Sequence, residues 1–85
     1  MRVEVQDRVQ QRHPEVSKAD VVCAWNNARA MRTRDYGPPD LVCAAGPDTH
    51  GRMIEMIGVV TLDGLVSVFH AMRLTEKMAR ELDLM

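Results

Sequence analysis

The sequence predicts an α+β fold in one domain over residues 1–85: two N-terminal helices, a three-stranded antiparallel meander and a C-terminal helix. Three observations lead there. Apolar residues in the first third recur at three- and four-residue spacing, the helical period. From Leu41 onward, short apolar runs are separated by clusters of turn formers, and an Asp63-Gly64 dipeptide stands between the last two runs. After Met72 the helical spacing returns at Leu74, Met78 and Leu82.

Val5 and Val9, four apart in a Gln- and Arg-rich segment, predict a helix over residues 3–12. It must finish by His13, because the residue before Pro14 avoids the helical region. Ser17 followed by Asp20 is a variant capping box, and Val21, Ala24, Trp25 and Ala28 continue the period, predicting a second helix over 18–31. Charge and a Gly-Pro-Pro stop make residues 32–40 a loop. Leu41–Ala45 is a short apolar strand and Gly46–Gly51 a turn-rich segment. A second strand is expected over Arg52–Leu62, joined through a two-residue type I′ turn at Asp63-Gly64 to a third over Val66–Met72. Thr75 is the expected N-cap of the last helix, with Glu76 in its first turn and an apolar stripe of Leu74, Met78 and Leu82 docked on the sheet.

A chain of 85 residues buries about two-thirds of the surface its unfolded form exposes, which suffices for one core. Seven Met against three aromatic residues point to a pliable core or an oligomer interface, and a homodimer is expected. The net charge of -1 excludes the strongly basic field of a typical nucleic-acid binder. Residues 1–36 carry seven Lys/Arg against five Asp/Glu and the remainder four against seven, so any RNA-facing surface must be local. No stretch approaches the roughly 20 apolar residues of a membrane span, and Met1–Asp7 lacks the apolar core of a signal peptide, so no membrane partner and a cytoplasmic location are expected. Cys23 and Cys43 have no paired spacing and read as buried reduced thiols, neither disulfide nor metal ligands.

The hairpin carries the clearest candidate for chemistry. A two-residue turn puts Val60 opposite Ser67, Gly58 opposite Phe69, Met56 opposite Ala71 and Ile57 opposite His70, with the Phe69 ring covering the bare backbone of Gly58. Glu55 then lies diagonal to His70, within reach of a carboxylate–imidazole contact. Such a partner raises a histidine's pKa and orients its ring, as acid–base catalysis near neutral pH requires. Against this stands a satisfied sheet histidine beside a solvated carboxylate. Arg73, Lys77 and Arg80 offer localised charge for phosphate, or else a solvated face shared with Glu76 and Glu81. His13, on the stripe of Val5 and Val9, reads as a core or helix-end residue, and His50 as an exposed turn residue.

Arg12-His13-Pro14-Glu15-Val16-Ser17 between the first two helices and His70-Ala71-Met72-Arg73-Leu74-Thr75 at the last strand–helix junction resemble the BrnT-type toxins of bacterial toxin–antitoxin systems, or small relatives with the same signatures. The likeness spans nearly the whole chain. It implies a RelE-like fold and a ribonuclease that cleaves mRNA without metal or other cofactor and is silenced by a cognate antitoxin. Ala71, Arg73 and Thr75 match the small, basic and Thr positions of that junction, and Arg52 a basic residue opening the central strand. Met72 and Met78 depart from the Arg and Glu usual there.

Metal-independent RNA cleavage needs a base for the 2′-hydroxyl, cations for the charged phosphorane and an acid for the leaving oxygen. In this reading the catalytic residues are His70 with Glu55 and Arg73, while Arg52, Lys77 and Arg80 hold RNA. The competing reading is a non-catalytic interaction module, dimeric or bound to a partner protein, because both hairpin faces are apolar and one layer of helices covers only one of them.

Overall fold

The computed structural model describes residues 2–34 and 41–85. The order of elements is β1 (Val3–Val5), α1 (Asp7–Arg12), α2 (Lys18–Asn26), β2 (Ala30–Thr33), β3 (Leu41–Pro47), β4 (Met53–Val60), β5 (Val66–Arg73) and α3 (Glu76–Glu81). The strands form one five-stranded sheet in the order β1-β5-β4-β3-β2. This corrects the expected RelE-like arrangement of two N-terminal helices and a three-stranded meander. The meander of β3, β4 and β5 is present, but a strand is added on each side of it.

Local spacing suggests helix or loop for both added strands, and pairing makes them strands instead. Val3-Glu4-Val5 alternates apolar and polar and pairs parallel with Val66–Val68, and the next amide, of Gln6, donates to the Val68 carbonyl at 2.9 Å. The helix therefore begins only at Asp7. At the other edge, α2 stops at Asn26 and not at 31, capped by Asn27, whose side-chain amide donates to the Cys23 carbonyl at 2.8 Å. Ala30–Thr33 then pairs antiparallel with Val42–Ala45. Arg32 and Thr33 thus belong to a strand, Arg34 follows it, and residues 35–40 of the predicted loop lie outside the described residues.

Where signals are local, expectation and structure agree. Ser17 and Asp20 form the capping box in both directions, and the Thr75 side chain caps α3 by accepting from the Met78 amide. The β4–β5 connection is different. Of its residues only Gly64 has positive φ, at 80°, whereas a type I′ turn needs two such residues. The Thr61 amide donates to the Leu65 carbonyl at 2.7 Å, so the loop has three residues, with glycine in the left-handed position that such loops favour. Near the turn the pairing is accordingly one residue away from the expected one, with Val60 opposite Val66 and Gly58 opposite Val68. A β-bulge then inserts Phe69 as the unpaired residue of β5 and restores the register, so that Ile57 faces His70 and Met56 faces Ala71. The Phe69 ring does not cover Gly58; it lies beneath the Arg8 guanidinium, 5.2 Å from its carbon.

Helices pack on both sheet faces. On one, Val9, Val16, Val21, Ala24 and Trp25 from the first two helices and their connection pack against Val42, Ala44, Ile54, Met56, Val66, Val68 and Ala71. On the other, Met78 and Leu82 of the α3 segment pack against Cys43 and Ala45, flanked by Met53, Ile57 and Leu74. The expectation of a single helical layer is thus corrected: the α3 stripe docks as foreseen, but on the face opposite α1 and α2. Among the described residues, no helix is long and apolar enough to cross a membrane.

Candidate functional site

His70 and Glu55 meet as the hairpin register requires. They project from the same face of the sheet, Glu55 opposite Met72 and His70 opposite Ile57, and His70 Nε2 lies 2.9 Å from Glu55 Oε2. The other carboxylate oxygen, Oε1, accepts from the Thr75 amide at 2.9 Å and the Thr75 hydroxyl at 2.6 Å. Glu55 is 5 % exposed. Burial by itself would raise its pKa, but the hydrogen bonds from Thr75 and His70 outweigh it and hold the carboxyl below the usual glutamate value. An ionised carboxylate only accepts, so the network assigns the proton of neutral His70 to Nε2 and leaves Nδ1 with the lone pair.

His70 lines two hollows. One, of 360 Å³, is walled by Arg8, Val9, Arg12 and His13 of α1 and its cap, and by Ile57, Phe69, His70 and Ala71 of the sheet. The other, of 210 Å³, shares Ile57 and His70 with it and is lined further by Glu55, Thr75, Lys77, Arg34 and Glu81. Two features of the chain create the first hollow. Because β1 ends after three residues, α1 lies alongside the part of β5 that β1 leaves uncovered. The bulge at Phe69 brings two successive side chains, Phe69 and His70, onto the wall.

Arg8 lies outside the sequence motifs, and Arg12 and His13, which belong to the Arg12–Ser17 motif, carry no site role in the sequence reading, yet all three border the hollow. Arg8 with Arg12 and Val9 with His13 are adjacent four-residue pairs on α1, and that spacing is the signal that places them on one side of the helix. Val9 goes into the core, so its neighbours border the hollow. His13 is the α1 C-cap, matching the expected helix-end role, yet its ring meets that of His70 edge to face, with centroids 6.4 Å apart and planes at 86°.

The other expected site residues are dispersed. Lys77 lines the second hollow. Arg73 stands opposite Ile54, on the face away from His70, and is exposed. Arg80 pairs with Glu76 across one turn at 2.6 Å, solvent-facing and outside both hollows. Arg52 is committed elsewhere: its Nε donates to Asp48 Oδ2 at 2.8 Å, and its Nη2 lies 3.8 Å from Asp20 Oδ2 and donates to the Glu15 carbonyl at 3.3 Å. It ties the β3–β4 turn to the start of α2.

No family model, curated protein or solved structure compared with the chain matches it. Function must therefore be read from the residues themselves.

Asp20, Asp48 and His50 bring one ligand atom each within 4.8 Å, a spacing compatible with a cation. All four carboxylate oxygens, however, are taken by protein groups. Asp20 accepts from Ser17 and Thr49 beside Arg52, and Asp48 from the amides of His50 and Arg52 and from the Arg52 guanidinium. The cluster is a closed structural knot. Cys43 is buried, which pushes its thiol pKa up and makes it a poor nucleophile, and Cys23 is half-buried; both are free thiols.

Proposed function

We propose that the chain is a small metal-independent endoribonuclease of the toxin type, with its reaction centre at His70 between α1 and β5. The single observation that carries the reading is the 2.9 Å bond from His70 to buried Glu55 at the edge of a hollow bordered by Arg8 and Arg12. Glu55 fixes the imidazole's tautomer and orientation, so that Nδ1 is the nitrogen available to take a proton. Arg8 and Arg12 supply positive charge where a phosphate would gain negative charge, and Lys77 extends it beyond His70.

The choice of RNA follows from what the walls lack. Among the described residues, no Ser or Cys lines either hollow, and the one hydroxyl, of Thr75, both donates to Glu55 and accepts from the Met78 amide. An acid–base centre with cations and no side-chain nucleophile suits a substrate that carries its own, as RNA does in its 2′-hydroxyl. The reading includes a partner that silences the activity, an antitoxin protein. A non-catalytic module remains the second reading; its premise of one wholly uncovered sheet face is narrowed by α3, which packs against Cys43 and Ala45 on the face opposite α1 and α2.

Incubating the purified protein with a mixed-sequence RNA oligonucleotide in EDTA tests the proposal. Cleavage by the wild type and its loss in a folded His70→Ala variant support it; equal cleavage by the two removes His70 from the mechanism. Growth arrest on induced expression, relieved by the same substitution, tests the toxin role.

A further inference from the structure

Base catalysis at His70 leaves the departing oxygen without a proton donor. We infer that His13 is the second proton-transfer residue of this site, and that RNA leaves it as a 2′,3′-cyclic phosphate and a 5′-hydroxyl; the inference rests on the RNA-cleaving reading above.

Five observations carry it. His13 borders the same 360 Å³ hollow as His70. The two rings are 6.4 Å apart and perpendicular, so a phosphate seated over both meets two imidazoles from different directions. In-line displacement needs one group near the attacking oxygen and another near the leaving oxygen on the opposite side of phosphorus, each within about 3 Å, and two imidazoles at this separation can supply them. The side chains are equally accessible, each 29 % exposed.

Their free nitrogens are also complementary. His70 Nε2 is bound to Glu55, leaving Nδ1, whereas His13 Nδ1 lies 3.5 Å from Glu15 Oε1, leaving Nε2. Finally, the backbone holding His13 is fixed on both sides: its amide donates to the Val9 carbonyl at 3.0 Å and its carbonyl accepts from the Val16 amide at 2.9 Å. A proton donor held this firmly stays in place during the reaction.

The step balances. The 2′-oxygen forms a bond to phosphorus as its proton passes to His70 Nδ1. The bond from phosphorus to the 5′-oxygen breaks, its electron pair stays on that oxygen, and protonated His13 delivers the proton from Nε2. Arg8 and Arg12 offset the charge on the non-bridging oxygens of the phosphorane. Neutral His13 and protonated His70 then exchange protons with water.

A leaving group that needs no proton separates the two roles. An RNA oligonucleotide with one ordinary linkage and its counterpart with sulfur in place of the bridging 5′-oxygen are cleaved by the wild type, His13→Gln and His70→Ala proteins, with folding checked by circular dichroism. The expected result is a loss of about 100-fold or more for His13→Gln on ordinary RNA, recovered to within a few-fold of wild type on the sulfur substrate, while His70→Ala stays slow on both. A cyclic phosphate terminus in the wild-type products is expected as well. A His13→Gln protein as fast as wild type on ordinary RNA, or equally impaired on both substrates, overturns the inference while leaving His70 in place. Failure of the wild type to cleave either substrate overturns the ribonuclease reading and this inference with it. Because His13 caps α1, His13→Asn, which suits a helix end, serves as the second variant if His13→Gln unfolds.

Discussion

Glu55 and His70 bond at 2.9 Å although they are not cross-strand partners: Glu55 faces Met72, His70 faces Ile57, and the contact runs diagonally across β4 and β5. The same carboxylate holds Thr75, the N-cap of α3. One buried group thus ties the imidazole to the helix packed on that face of the sheet.

Glu55→Gln keeps the shape and loses the charge. The amide nitrogen must face either Thr75, opposing a donor with a donor, or His70, forcing its proton onto Nδ1. Unfolding in urea is expected to show a loss of about 1–3 kcal/mol, and RNA cleavage to fall by about 100-fold. Cleavage at the wild-type rate would show that Glu55 does not set the state of His70.

Stability should decline in acid through the buried carboxylates. Burial alone would raise the Asp20 pKa, but hydrogen bonds from Thr49 and Ser17 bring it down to about 2 from 3.8. Folding therefore favours the ionised form, and its contribution, on the order of 2 kcal/mol, is fully present above pH 3.8 and lost as the pH falls through 2. Asp48 and Glu55, also held below their usual values, act in the same sense. Urea unfolding from pH 6 down to about 2 should show the difference between wild type and Asp20→Asn shrink across that window; a constant difference would contradict this account.

The cations divide into those beside His70 and those remote from it. Arg8→Ala and Arg12→Ala are expected to weaken RNA binding and flatten its dependence on salt, by about one unit of slope for each phosphate left without its cation. Arg73→Ala and Arg80→Ala should behave as wild type, since Arg73 points to the other face and Arg80 is paired with Glu76. Fluorescence anisotropy with labelled RNA across a salt series checks this, and a larger effect at Arg73 than at Arg12 would move the interface.

At Gly46 the backbone at the end of α2 packs tightly against β3. A Cβ there would lie 2.2 Å from the Ala24 carbonyl oxygen and 3.0 Å from the Ala28 Cα, both backbone atoms that cannot swing aside. Gly46→Ala is expected to cost about 2 kcal/mol or more, read as a lowered midpoint in thermal unfolding. An unchanged midpoint would mean that α2 is free to shift.

The sequence by itself determined the features built from neighbouring residues. The Ser17–Asp20 box, the Thr75 cap, the α3 stripe and the hairpin of β4 and β5 each rest on groups a few positions apart, whose geometry the backbone restricts strongly. The pairing of Ile57 with His70, and so the reach from Glu55 to His70, was legible on the same ground. The agreement rests partly on cancellation, because a loop one residue longer than expected is offset by the bulge at Phe69.

What tertiary structure decided lies at long range. Val3–Val5 is a strand only because β5, some sixty residues later, provides its partner, and a weak helical period cannot reveal that pairing. That strand's early end lets α1 lie beside β5 and brings Arg8, Arg12 and His13 to His70. Arg52, by contrast, is drawn into the buried carboxylates of Asp20 and Asp48. The strand hydrogen bonds and buried charges that set these positions join segments far apart in the chain, so they were settled only when the sheet closed around its core.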